Sequence, residues 1–96
     1  MRAKRSLGQN FLVDPNLQRK IVDALDIGAG DTVVEIGPGR GALTRHLAER
    51  ADRLVAIELD DALAADLVAR YRDEPGVTIV HGDVLEWEPR PRPGPL

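Results

Sequence analysis

The sequence predicts an α/β fold built on a parallel sheet. Three observations carry that prediction. Short apolar runs rich in β-branched residues recur at Thr32–Ile36, Arg53–Glu58 and Val77–His81. Stretches with helical spacing alternate with them, as in βαβ units. The first run also leads directly into a loop with glycine at alternate positions, Gly37, Gly39 and Gly41. Such a loop brings backbone close to a ligand at the carboxyl end of a parallel strand.

Each element has its own local reason. Asp14-Pro15 starts a helix, because Asp caps free amides and Pro suits the first helical position. Leu17, Ile21, Val22 and Leu25 then mark one helical face. Gly28-Ala29-Gly30-Asp31 ends that helix and turns the chain into the first strand. A second helix is expected from about Gly41 to Arg50, with Leu43, Leu47 and Ala48 facing inward. After the second strand, Asp60 or Asp61 caps a third helix that runs through Leu63, Leu67 and Val68 to about Arg70. Asp73-Glu74-Pro75-Gly76 is a turn, and the third strand ends at Gly82-Asp83. Beyond Trp87, prolines at 89, 91, 93 and 95 exclude helix interior and central strand, leaving an extended connection. The expected organisation is therefore a basic arm over residues 1–14, an α/β body over 15–88 and a proline-rich connection over 89–96.

Composition limits the function classes. The 96 residues suffice for one small domain. With no cysteine, disulfides and thiolate metal sites are excluded, which is compatible with a reducing cytosol. His46 and His81, the only histidines, do not suggest a metal cluster, and no metal is expected. No apolar run approaches membrane-spanning length, and the basic start is not followed by a signal-peptide core. Phe11, Tyr71 and Trp87 are the only aromatics, so the core must be aliphatic. The net charge of −3 is unevenly placed: Arg2, Lys4, Arg5, Arg19 and Lys20 face a single acid, Asp14, within the first twenty residues. A basic arm on an acidic body points toward a polyanion. On charge alone, a solvated terminus is the simpler account.

Three strand ends converge on one ligand. The G-x-G-x-G spacing, with Glu35 two residues before Gly37, differs from the G-x-G-x-x-G of dinucleotide binders. It fits an S-adenosylmethionine pocket better than a nicotinamide pocket. The glycines admit a close ligand, and the following helix end favours an anionic group such as a carboxylate. A plain strand-to-helix turn remains the alternative. Glu58, ending the second strand, is placed to accept hydrogen bonds from both ribose hydroxyls. Taken alone it also fits a surface carboxylate or a helix cap. Asp83, after the third strand, can accept from an exocyclic adenine amine, or simply serve a turn. A parallel sheet puts all three ends on one edge.

The segment from Lys4 to Asp14 (Lys-Arg-Ser-Leu-Gly-Gln-Asn-Phe-Leu-Val-Asp) adds a more specific signal. Together with Glu35–Thr44, Glu58-Leu59-Asp60 and Gly82-Asp83-Val84-Leu85, it resembles the ribosomal RNA adenine N6,N6-dimethyltransferase family, and most nearly the small-subunit (16S) type. The resemblance implies a Rossmann-like class I S-adenosylmethionine-dependent methyltransferase fold, here cut off after the third strand. It implies that Asn10 and Leu12 line the cofactor site, with Gly37 on the methionine portion, Glu58 on the ribose and Asp83 on the adenine. Glu35, Gly39 and Gly41 support that site. Phe11 serves either the cofactor or the core, and Arg40 can be solvated. The implied substrate is ribosomal RNA of the small subunit, in the cytoplasm. Arg2, Lys4 and Arg5 then become candidate phosphate contacts. Neither a membrane nor an obligate protein partner is implied.

The same resemblance implies a catalytic Asn-Leu-Pro-Tyr or -Phe motif after a fourth strand. No Asn follows Asn16, so no catalytic residue is expected within these residues. The chain reads as an amino-terminal portion that is inactive alone, with the edge of its first strand left open to association. Two rivals stand beside this reading. One is a 23S RNA methyltransferase of the antibiotic-resistance type, and the other is a non-catalytic RNA-binding assembly or transcription factor of the same fold. Intact Glu58 and Asp83 speak against the second.

Overall fold

A computed structural model describes residues 12–87 of the chain. Asn10, Phe11, the basic residues Arg2, Lys4 and Arg5, and the proline-rich stretch lie outside the described residues. The element order is α1 (Pro15–Ala24), β1 (Thr32–Ile36), α2 (Thr44–Arg50), β2 (Arg53–Glu58), α3 (Asp61–Arg70), β3 (Val77–His81) and a short 3-10 turn (Val84–Glu86). All three strands fall on the segments expected from the sequence.

The sheet has the order β1-β2-β3, and both pairings are parallel. Its register matches Ile36 with Ile57 and Glu58 with His81, so the three carboxyl ends share one edge. Both crossovers step in the same direction. Right-handed connections therefore put α2 and α3 on one face. On that face Val33 and Val77 pack against the buried cluster of Val22, Leu47 and Leu54, with Leu43 and Ala48 alongside. Ala56, Ala64 and Leu67 continue the core beneath α3. β2 is central, and β1 forms one border of the sheet.

Helix ends depart from expectation at two places. α1 stops at Ala24, short of the glycine turn. The Leu25 and Asp26 amides bond to Val22 and Asp23 carbonyls, and Asp26 takes φ 51, a left-handed conformation that ends a helix. Leu25, expected on the inner face, is 55% exposed, and Gln18 is buried in its stead. α2 begins at Thr44 rather than Gly41, because Gly41 has φ 87 and cannot be helical. Along α3, Asp60 is the cap, through the Leu63 amide at 2.9 Å. Asp61 pairs instead with His81. Val68, one of the apolar positions marking this helix in the sequence, is exposed, and Ala64, which was not among them, is buried.

Candidate functional site

The carboxyl edge of the sheet gathers Gly37–Gly41, Glu58 and Gly82–Asp83. Gly37, Gly39 and Gly41 have φ of 69, 60 and 87, so all three occupy the region that favours glycine. Their amides already have acceptors. Gly37 donates to the Ile57 carbonyl at 2.9 Å, which extends the β1–β2 ladder, and Gly41 donates to Pro38 at 2.9 Å. Gly39 donates to Glu58 Oε1 at 2.8 Å. The glycines of this loop therefore offer a ligand open space more than unsatisfied donors. A Cβ added at Gly37 or Gly82 would meet nothing within 4 Å.

Gly41 differs from the other two. A Cβ there would lie 2.7 Å from Arg70 Nη1 and 3.3 Å from Leu67. It lets α3 pack close to the loop. Leu12 lies beside this second part of the loop, in a groove it shares with Arg40, Gly41 and Ala42.

Glu58 is only 6% exposed. Its Oε1 holds Gly39 and its Oε2 accepts from the Asp60 amide at 2.9 Å. One carboxylate thus ties the glycine loop to the turn that starts α3. Each oxygen keeps a further lone-pair site, since an ionised carboxylate accepts about four hydrogen bonds. Asp83 caps the 3-10 turn through Oδ1, which accepts from Leu85 at 2.9 Å. Glu35 sits on the helix-covered face beneath the loop, where Thr44 Oγ1 donates to its Oε1 at 2.6 Å. Burial raises the Glu35 pKa above its ordinary 4.5, and the Thr44 bond partly opposes that shift.

Some participants were not read from the sequence. Thr44 is fully buried as the partner of Glu35. Gln18 is buried between α1 and α2, where its Oε1 takes Arg45 Nη2 at 2.7 Å and lies 3.0 Å from His46 Nε2. Burial, followed by the charge of Arg45, lowers the His46 pKa below 6.5. The available signal was the spacing of Gln18 and Val22, one helical turn apart on one face. Among the described residues no group of three or more metal-binding side chains occurs, and no helix is long and apolar enough to cross a membrane.

Comparison with known proteins adds independent information. The profile of the family described as ribosomal RNA adenine dimethylase matches residues 1–92. A ribosomal RNA small subunit methyltransferase A from Geobacter metallireducens is 51% identical over 90 residues, covering 94% of this chain and 33% of that protein. The Moorella thermoacetica protein of the same name is 53% identical over 83 residues, covering 86% and 29%. Among solved structures, the 23S rRNA methyltransferase ErmE superimposes with a TM-score of 0.76 at 36% identity, over 85% of this chain and 34% of that one. A dimethyladenosine transferase from Plasmodium falciparum gives a TM-score of 0.71 at 28% identity, over 83% and 30%. The chain spans about a third of the length of the curated relatives it matches.

Proposed function

The chain belongs to the ribosomal RNA adenine dimethylase family, and we propose that these residues form the methyl-donor half of a small-subunit (16S) ribosomal RNA adenine N6-dimethyltransferase. Its fold is the Rossmann-like fold of S-adenosylmethionine-dependent methyltransferases. The observation that carries the reading is the Glu58 carboxylate, buried at the end of β2 and bonded to the glycine loop with acceptor sites to spare. A ribose diol is a matching donor pair. Relatives named for the small subunit, at about half identity, favour that target over the 23S type suggested by ErmE.

The residues present fit S-adenosylmethionine. Gly37 leaves room where a side chain would stand, Glu58 accepts from the ribose, and Asp83 has an Oδ2 available for the adenine amine. When bound, the cofactor supplies a methyl group on a sulfonium, which adenine N6 takes up as it loses a proton, twice per base. This chain's part is to fix the donor's position, because N6 is a weak nucleophile and alignment lowers its barrier. Asn10 and Leu12, from the segment before α1, are proposed to cover the site. Arg2, Lys4 and Arg5 are proposed to meet RNA phosphates.

Calorimetry with S-adenosylmethionine and Asp83→Asn tests the reading. Asn keeps an oxygen for the Leu85 amide but turns its other atom into a donor, which opposes an adenine amine. Losing one charge-assisted hydrogen bond costs about 1.5–3 kcal/mol, so affinity should fall roughly ten- to a hundredfold. Unchanged affinity in Asp83→Asn, or no binding by the folded wild-type chain, would reject it.

A further inference from the structure

A groove of about 290 Å³ beside the glycine loop brings together three arginines from three different segments. Arg40 comes from the loop, Arg45 from α2 and Arg70 from the end of α3. Leu12, Gln18, Gly41 and Ala42 complete its lining. We propose that this groove holds a phosphodiester of the RNA strand next to the methyl-donor site, a refinement that rests on the RNA-methylating reading above.

The charge arrangement carries the proposal. Arg70 is neutralised and fixed: its Nη2 meets Asp66 at 2.5 Å and its Nη1 donates to the Arg40 carbonyl at 2.8 Å. Arg45 is oriented by the amide oxygen of Gln18, a neutral partner that positions the guanidinium without cancelling its charge. Arg40 is exposed. Among the described residues no carboxylate pairs with Arg40 or Arg45. Two uncompensated cations thus share one concavity in a chain whose net charge is −3.

Guanidinium forks match the oxygens of a phosphate, and they hold it in a defined orientation. A strand passing through the groove would run beside Gly41, in the same loop as Gly37. The sequence extends the track. Arg5 precedes Leu12 by seven residues in the sequence, and Arg2, Lys4 and Arg5 are already proposed to meet RNA phosphates. Polymer binding at several phosphates follows from that spread of charge, whereas a lone anion would need only the groove.

The test measures binding of the 96-residue chain to a fluorescently labelled RNA hairpin with unpaired adenines, across a salt series. S-adenosylmethionine affinity is measured on the same samples. Each phosphate contact contributes about 0.7–0.9 to the slope of log affinity against log salt. Arg40→Gln should lower the slope by about that amount, and adding Arg45→Gln should lower it by as much again. Arg40→Lys, which keeps the charge, should leave it near wild type. S-adenosylmethionine affinity should not change in Arg40→Gln, whose side chain makes no hydrogen bond or ion pair among the described residues. A slope unchanged in Arg40→Gln and in the double variant, with cofactor binding intact, would overturn the groove assignment and leave the methyl-donor reading standing. A wild-type chain that binds RNA but not S-adenosylmethionine would instead remove that reading, and with it the refinement. Displacement of the hairpin by low-millimolar inorganic phosphate at constant ionic strength would make the groove a small-anion site and also overturn the proposal.

Discussion

β1 and β2 are similar in sequence and differ in almost every physical respect. Both are short, apolar runs that carry a glutamate near the carboxyl edge. β2 lies between two partners, and four of its six residues are buried. β1 has one partner, and Val34 and Ile36 are 41% and 64% exposed. The glutamates differ in the same sense. Glu58 holds two backbone amides from two loops, whereas Glu35 holds one threonine hydroxyl. Position in the sheet, more than residue type, decides which strand stabilises the body and which presents an open border. It also decides which carboxylate organises the site.

The largest effect should come from the centre of β2. Leu54 is 1% exposed and belongs to the Val22–Leu47 cluster. Leu54→Ala should cost about 2–5 kcal/mol in urea denaturation through lost burial and the cavity left behind. Ile36→Ala, in the neighbouring strand, should change stability by no more than about 0.5 kcal/mol. Similar losses at the two sites would mean that something covers β1 as fully as β3 and α3 cover β2.

This contrast was only partly legible in the sequence. Strand identity and extent came from β-branched runs bounded by Gly, Asp and Pro, which are local signals. That the three strand ends share one edge was legible too, because a parallel sheet forces carboxyl ends together. Burial along β1 followed from its place in the order β1-β2-β3. The commitments of Glu58 were not legible: its bonds to Gly39 and Asp60 depend on how closely two loops approach across the sheet edge. The buried Gln18 was missed because a polar residue on a helix is ordinarily read as solvated. Two of its side-chain partners lie 27 and 28 residues away. The ends of α1 and α2 were set by left-handed φ at Asp26 and Gly41, a property of backbone that composition only hints at.

Glu58 provides the next, smaller test. If this residue only awaited a ligand, Glu58→Gln would leave the stability of the ligand-free chain unchanged. Because both oxygens take backbone amides, the amide replacement sets an NH₂ against an N–H. It also removes charge assistance from both bonds. The expected loss is about 1.5–3 kcal/mol without any cofactor, read from the denaturation midpoint and slope. Asp83→Asn, which keeps its single capping oxygen, is the control and should lose far less. Equal, negligible losses in both would reduce Glu58 to a ligand contact and erase its difference from Glu35.

Glu35→Gln should give the smallest change, and its sign is opposite. Burial raises the folded-state pKa of Glu35 above 4.5, so the folded chain binds the proton more tightly than the unfolded chain does. Stability from this residue is therefore fully present below 4.5 and is lost as pH rises through the raised folded value. Gln keeps an oxygen for the Thr44 hydroxyl and carries no charge to desolvate. At neutral pH, Glu35→Gln should be slightly more stable than wild type, and the difference should vanish toward pH 4. His46 supplies a separate, opposite slope. Its lowered folded pKa favours the neutral ring, so its contribution is present above 6.5 and is lost as pH falls through the lowered value. Removing Glu35 isolates that slope: the variant's stability should only rise with pH across the histidine range. If Glu35→Gln instead destabilised the chain at neutral pH, the ionised carboxylate would be a structural anchor like Glu58, and the two strands would end alike.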